Sequence, residues 1–379
     1  MKPYIIISGF NINDNNRGTA ALSYGSIPFL LSHKYIKEGQ ILVNFRFYKN
    51  ILRKRNRLDI KQSIPVENMK WQYITFNIFF VERWLFEKFG ILLPFSKLKR
   101  ILSNLELVAA INGGDGFSDI YSTKTFLSRL PDISYAMKIG IPVVLLPQTI
   151  GPFKYEQNYK IAVAILKYAT HIYVRDDKFS ADLDTLGLRY TLTKDLSYYM
   201  KPKQWDIIVK KVAVGLNISG LAYSNKFRTL SGEFDNYPLL VFEIIKYFQQ
   251  KNIWLYLIPH SYNYSQPEES NDDLIASRDV YEKLNNKSNV LLIDRDLTSP
   301  EVKYLISKMS FFIGTRMHAN FAAIYSGVPV FGLSYSYKFQ GAFEANGVYN
   351  RVSSIVNIDS HDVKLIIDKI DTLFKEIYE

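Results

Sequence analysis

A chain of 379 residues exceeds the size at which one hydrophobic core usually keeps growing, so two domains are expected. Its composition, 47% hydrophobic and 15% aromatic with 14 prolines, excludes a disordered or fibrous chain, and the lack of cysteine excludes disulfides, thiolate metal sites and cysteine nucleophiles, which fits a reducing cytosol. A formal charge of +11 favours an anionic partner and leaves a phosphorylated metabolite, nucleic acid and an anionic membrane surface open.

The first residues, MKPYIIISGFNIND, hold one lysine and a short apolar run broken by Asn13 and Asp14. That is too short for a signal peptide, so it predicts a first strand, Tyr4 to Ser8, and a place inside the cell. The loop that follows brings Asn16, Arg17 and Gly18 to a helix starting near Thr19. Free amides at a helix start suit an anion or a hydroxyl, although Asn and Gly are also ordinary capping residues there.

Further β-branched runs at Ile41 to Phe45, Leu107 to Ile111, Pro142 to Leu146 and His171 to Val174 alternate with helical patterns, which predicts a parallel sheet. One stretch breaks this rhythm: RKRNR at Arg53 to Arg57, followed by an aromatic segment from Trp71 to Phe95. Glu82, Arg83, Glu87 and Lys88 make it too charged to span a bilayer. The plain reading is a buried helical insertion around 50–103. The sharper one is an amphipathic surface helix beside a basic patch, in peripheral contact with anionic lipid at the inner membrane surface. Trp71, Phe79, Phe80 and Trp84 fit either reading.

Ligands of open α/β sheets bind beyond the carboxyl ends of the strands, so loops after strands carry the candidate site. NGGDGFSDIY gathers Gly113, Gly114 and Gly116 with Asp115 and Asp119, so that backbone can approach a ligand while carboxylates face sugar hydroxyls or an arginine. It matches neither GxGxxG nor GxxxxGK, which counts against a dinucleotide oxidoreductase and an NTPase. Gln148, Thr149 and Gly151 follow the next strand, and Arg175 and Asp176 the one after, where Arg175 is expected to bind an anion.

YYMKPKQWD, with Pro202, reads as a linker between an N-terminal domain at 1–200 and a C-terminal domain at 205–379. Beyond it VAVGLNIS, IWLYLIPH, NVLLID, FFIG and PVFGLS predict a second sheet, giving two doubly wound Rossmann-like α/β domains facing a central cleft. His260 directly follows a strand, with Asp272 and Asp273 downstream. FFIGTRMHANFAAIYSGVPVFGLSYSYKFQG is the most informative stretch. A strand ends at Ile313, Gly314 turns, and Thr315, Arg316 and His318 open a helix, so that amides, guanidinium and imidazole converge as a phosphate with a nearby carboxylate would need. Tyr335 and Lys338 follow the next strand. A last helix, 360–378, is expected to pack back on the N-terminal domain.

The motifs NRGTAAL (Asn16 to Leu22), GGDGFSDIY (Gly113 to Tyr121), QTIGPF (Gln148 to Phe153), YVRD (Tyr173 to Asp176), IPH (Ile258 to His260) and GTRMHA through GVPVFGLSYSYK resemble the polysaccharide pyruvyl transferase family over nearly the whole chain. The resemblance implies a GT-B-like fold and a cytoplasmic transferase. It would move pyruvate from phosphoenolpyruvate to a sugar of a cell-surface polysaccharide, capsule or exopolysaccharide, or of its lipid-linked precursor, and form a ketal. It implies Arg316 and His318 as donor-site residues with Thr315 and Met317, Arg175 as a second anion ligand and Lys338 as a further one. It implies an acceptor side on the N-terminal domain and a donor side on the C-terminal one, and for the acceptor Asp115 or Asp119, with Asn16, Gly18, Gln148 and His260. His318, with an ordinary pKa near neutrality, is the expected proton donor, and Asp115 the second catalytic group. Thr19 stands where many relatives have Asp, and GGD where GGG is more usual; both bear on acceptor choice.

No cofactor or metal is expected, since the carboxylates are not spaced as a ligand set. No nucleic acid is expected either, since the basic residues are dispersed. Two alternatives stay open. One is a GT-B glycosyltransferase holding a nucleotide sugar through Arg316 and Lys338, and the other is a non-catalytic scaffold of an envelope-polysaccharide assembly complex that docks through Trp71 to Phe95.

Overall fold

The computed structural model describes residues 2–50, 57–176, 180–227, 230–336 and 338–378. The chain divides into two units by contact: Met1–Asn11 with Leu22–Tyr199, and Ile12–Ala21 with Met200–Glu379. The short segment Ile12–Ala21, which reads in sequence as part of the N-terminal half, thus belongs to the second unit.

The first unit holds β1 (Tyr4–Ser8), β2 (Ile41–Tyr48), β3 (Ile60–Val66), β4 (Met69–Phe79), β5 (Leu105–Ala110), β6 (Val143–Gln148), β7 (His171–Val174) and β8 (Thr191–Leu192). Their order is β3-β4-β2-β1-β5-β6-β7-β8, and every pairing is parallel except β3 with β4. Central strands of a parallel sheet are covered on both faces, which is why every residue of β6 is buried and the strand reads as an unbroken apolar run up to Pro147 and Gln148. Val108, Val143 and Leu145 share a core with Phe126, Ile133 and Ile165 of the flanking helices.

The second unit holds β9 (Ala213–Asn217), β10 (Trp254–Leu257), β11 (Val290–Leu292), β12 (Phe311–Gly314), β13 (Val330–Ser334) and β14 (Val352–Ser354), in the order β11-β10-β9-β12-β13-β14 and parallel throughout. Strand side chains alternate between faces, and the cores follow. Phe311 and Ile313 enter one cluster, with the helix Tyr237–Gln250, and Phe312 the other, with Val302 and Leu305 of the helix Ser299–Ile306. Full burial of a large apolar side chain of this kind contributes about 1.5–3 kcal/mol. The strand order reverses between β9 and β12, so the crevice beyond Asn217 and Gly314 is the switch point of this sheet.

One expectation changes here. The stretch read as a helical insertion is a hairpin followed by a helix: β3 and β4 pair antiparallel from Ile60↔Thr75 to Val66↔Met69, and the helix spans Phe80–Phe89. The β-branched and aromatic residues of Trp71–Phe79 suit a pleated surface, and Glu67, at φ 53°, makes the left-handed turn. Of the basic run before it, residues 53–56 lie outside the described residues. The last helix, Ser360–Tyr378, places Val363, Ile366, Ile370, Leu373 and Phe374 in the second unit's own core, beside Ile244 and Phe248. Its apolar stripe at helical spacing is occupied there.

Candidate active site

At the switch point of the second unit, Asn217 ends β9 with its side chain fully buried. Its Oδ1 accepts the backbone N–H of Arg316 at 2.8 Å, and its Nδ2 donates to Ile258 O at 3.1 Å and to Asp273 Oδ2 at 3.2 Å. One amide thereby ties together the segments that follow β10 and β12. Asp273, 0% exposed, opens the helix Asp273–Lys283 and collects the remaining donors. Its Oδ1 accepts from Gly220 N–H (2.9 Å) and from Arg316 Nη2 (2.7 Å) and Nε (3.0 Å), and its Oδ2 from His260 N–H (3.2 Å) and Ser261 N–H (2.9 Å). Arg316 also donates from Nη2 to Asn271 O and Oδ1. Burial works against its charge, but Asp273 and Tyr335 outweigh it and hold the guanidinium firmly protonated. Arg316 is therefore a fixed cation whose Nε and Nη2 are engaged with the protein.

His318 lies in the first turn of the helix Met317–Ile324, which starts directly after Arg316. Its ring meets Phe321 edge-on, with centroids 5.6 Å apart. On its other side lies Gly18, where an added Cβ would come 2.6 Å from Nδ1 and 2.7 Å from Cβ and Cγ. The glycine is needed because the imidazole occupies that space. Gly18 is held by its neighbours: Asn16 Oδ1 accepts Gly18 N–H at 2.9 Å as a helix cap, and Arg17 N–H donates to His260 O at 3.0 Å. Arg17 itself is buried over the Tyr262 ring and donates to Leu297 O at 2.6 Å and Asp296 Oδ1 at 2.8 Å. His260 is 3% exposed and its Nδ1 has no hydrogen-bond partner among the described residues. Burial first, then His318, Arg17 and Arg316, pushes its pKa well below the ordinary value, so the ring is neutral at pH 7.

The sequence candidates near this cluster divide accordingly. Arg316, His318, His260 and Gly18 come together. Asn16 serves as a cap, Met317 is half-buried in the first turn, and Thr315 is fully buried with its hydroxyl 2.7 Å from Tyr237 OH. Lys338 opens the helix Lys338–Glu344, and its side chain lies outside the described residues. Asn217 was absent from the sequence candidates, and Asp273 was noted only as a carboxylate downstream of His260, not as the partner of Arg316. The signal was an asparagine ending an apolar strand and an aspartate at a helix start.

In the first unit, the loops after β5, β6 and β7 gather around Arg175. Its Nη1 donates to Asp195 Oδ2 at 2.8 Å and its Nε to Thr149 Oγ1 at 3.1 Å, and Asp115 and Asp176 add their fields. Burial opposes the charge and these three carboxylates more than restore it. The surroundings of Arg175 are thus acidic in sum. Asp115, half-buried, accepts from Tyr121 OH at 2.7 Å. Gly114 lets Arg175 pass, since an added Cβ would lie 2.8 Å from Nη1. Gln148 is fully buried and bonded to Asn112, Ala110 O and Leu146 O. Asp119 accepts from Lys154 N–H, Tyr155 N–H and Asn158 Nδ2 at the start of the helix Glu156–Tyr168; burial raises its pKa, but these bonds prevail and lower it. Arg129, absent from the sequence candidates, donates to Asn112 O at 2.9 Å and fills the space that Gly116 leaves open.

Two parallel α/β units, one carrying a buried arginine and a histidine at its switch point, are the Rossmann-like architecture of GT-B transferases. A family model, Polysaccharide pyruvyl transferase, matches residues 6–337, and the chain belongs to that family, a family of transferases in polysaccharide biosynthesis. No curated protein matches the sequence. Among solved structures, UDP-GlcNAc 2-epimerase from Methanocaldococcus jannaschii is similar with a TM-score of 0.53 and 10% identity, over 98% of this chain and 92% of that one. UDP-GlcNAc 2-epimerase from Neisseria meningitidis, bound to UDP-GlcNAc, gives 0.53 and 12% over 99% and 92%. An Escherichia coli structure described as trehalose-6-phosphate bound with UDP-2-fluoro glucose gives 0.50 and 10% over 98% and 91%. At such identities the likeness is one of fold alone.

Proposed function

We propose that the chain transfers the pyruvyl group of phosphoenolpyruvate to two hydroxyls of one sugar, in a cell-surface polysaccharide or its lipid-linked precursor, to give a cyclic ketal. The observation that carries this reading is the family match, whose span contains Arg316 and His318 at a sheet switch point. His318 protonates the methylene carbon C3 of phosphoenolpyruvate, which leaves C2 cation-like. A sugar hydroxyl adds to C2 and gives up its proton, and a second hydroxyl then displaces phosphate from C2, its own proton leaving with the phosphate. Asp115, the half-buried carboxylate beside Arg175, is our choice for the group that accepts the hydroxyl proton. Arg316 and the first amides of the helix Met317–Ile324 attract the anionic donor, with Lys338 as a further cation. Arg175, set among three carboxylates, is better suited to orienting them toward sugar hydroxyls than to neutralising a phosphate.

Thermal stabilisation by phosphoenolpyruvate, UDP, GDP and inorganic phosphate tests the reading without knowledge of the acceptor. A ligand at 100 times its dissociation constant adds about 2.7 kcal/mol. Phosphoenolpyruvate should stabilise selectively. His318→Asn should keep that stabilisation while phosphate release in the presence of acceptor glycans falls by about 10²- to 10⁴-fold. Stabilisation by UDP or GDP alone would replace the reading with a nucleotide-sugar transferase, and a shift with none of the four would remove it.

A further inference from the structure

We propose that the loop after the helix Phe80–Phe89 is a membrane wedge that seats the protein on an anionic phospholipid surface. The helix turns one side chain inward: Phe86 is buried and meets Tyr135 edge-on at 5.4 Å. Gly90, at φ 70°, ends the helix, and the chain then runs out to Ser96, the cap of the helix Lys97–Leu102. Between Phe89 and Phe95 only Leu92 is partly buried. Leu92 packs against the core of the first unit, whereas Phe89 (56%), Ile91 (49%), Leu93 (38%) and Phe95 (105%) face outward. Phe95 has φ 61°, a left-handed conformation that an aromatic L-residue adopts only at a cost, and its side chain projects wholly into solvent. A contiguous apolar tip of this kind has no reason to persist on a surface that meets only water. Trp84, 42% exposed, stands at its base with Phe89 edge-on at 5.3 Å. A half-exposed tryptophan beside an apolar tip is the arrangement favoured where lipid headgroups meet acyl chains.

Charge selects the occupant. Lys88, Lys99 and Arg100 are exposed around the tip. The acidic residues of the same helix are already engaged with protein donors: Glu82 accepts Leu98 N–H at 2.9 Å, and Glu87, itself exposed, accepts from Arg83 Nε at 2.8 Å and Tyr135 OH at 2.6 Å. An apolar point with a cationic collar matches acyl chains beneath anionic headgroups, and the net charge of +11 works in the same direction. Among the described residues no helix is long and apolar enough to cross a membrane, so the attachment proposed is interfacial. It does not depend on the reaction proposed above.

The test is co-sedimentation of the full chain with vesicles of phosphatidylcholine alone or with one third phosphatidylglycerol, a mixture about as anionic as many inner membranes. Binding to the anionic vesicles should exceed binding to the neutral ones at least about tenfold and should weaken with salt. Leu93→Ser with Phe95→Ser should lower it by about tenfold or more without changing the melting temperature, because both side chains are outside the core. Lys88→Glu with Lys99→Glu should remove most of the preference for phosphatidylglycerol. The proposal is overturned if the parent binds neither vesicle, if the Leu93/Phe95 double variant binds as well as the parent, or if ultracentrifugation shows a parent dimer that this variant splits, which would assign the tip to a second copy of the chain.

Discussion

Arg316 shares one buried site with a carboxylate, and this determines how its substitutions must be interpreted. Removing one partner of a buried ion pair leaves the other charged and unsolvated, which typically costs about 3–5 kcal/mol. Arg316→Ala is therefore expected to lower unfolding free energy in urea by about that amount, because Asp273 is 0% exposed. Arg316→Lys should cost less, since it keeps the charge and loses the two-pronged contact. An alanine variant within 1 kcal/mol of the parent, on the order of an ordinary surface change, would contradict the ion pair as described. Activity lost in Arg316→Ala has to be measured per folded molecule.

His260 gives a pH dependence of definite sign. Burial and neighbouring cations depress its folded-state pKa, while the unfolded chain titrates near 6.5. Below about pH 6.5 the unfolded state takes up a proton that the folded state refuses, so the contribution is intact above that pH and is lost as pH falls toward the depressed value, by at most about 1.4 kcal/mol per unit. Urea midpoints at pH 7.5 and 5.5 should diverge less in His260→Gln than in the parent; equal divergence would place the titration elsewhere. Sequence alone pointed to Arg316 and His318 because guanidinium and imidazole at a helix start are an uncommon combination. It could not join Asp273 to Arg316, since the pair meets across 43 residues of chain. Asp119, Gln148 and Thr315 looked like ligands for a related reason. A polar residue after a strand can meet a ligand or serve the fold, and here Asp119 accepts Lys154 and Tyr155 N–H, Gln148 donates to Ala110 O and Leu146 O, and the Thr315 hydroxyl pairs with Tyr237 OH.

At the scale of elements, the apolar runs were legible because a parallel sheet buries both faces and leaves an unmistakable β-branched signature. Tyr4–Ser8 and His171–Val174 end where the pattern ends, and Phe311–Gly314 runs one residue past it. The block from Trp71 to Phe95 was not legible, because a strand passes into a helix between Phe79 and Phe80 with no glycine or proline to mark the change. The helix Arg17–Ser32 carries its own test at Gly25. Glycine inside a helix is ordinarily a weakness that alanine repairs by about 0.5–1 kcal/mol. Here an added Cβ would lie 1.8 Å from Leu196 O, so Gly25→Ala should destabilise instead, by about 1–3 kcal/mol in thermal or urea unfolding. A stabilised variant would mean that the Leu196 backbone yields easily.

For the whole molecule, the order of strands in the second unit is that of a doubly wound domain, and the alternation of strands and helices predicted that much. What alternation could not disclose is that this unit is assembled from two stretches of chain. Ile12–Ala21 supplies Arg17, whose partner Leu297 lies 280 residues further on. On a ribosome moving at about 5–20 residues per second, Arg17 emerges roughly 15 to 60 s before Leu297 exists. During that interval the segment has no native place to go, and the helix that begins at Arg17 must wait with its first turn uncommitted. The glycine that makes room for His318 is therefore made long before the imidazole it accommodates, and their contact cannot form until that later stretch of chain exists.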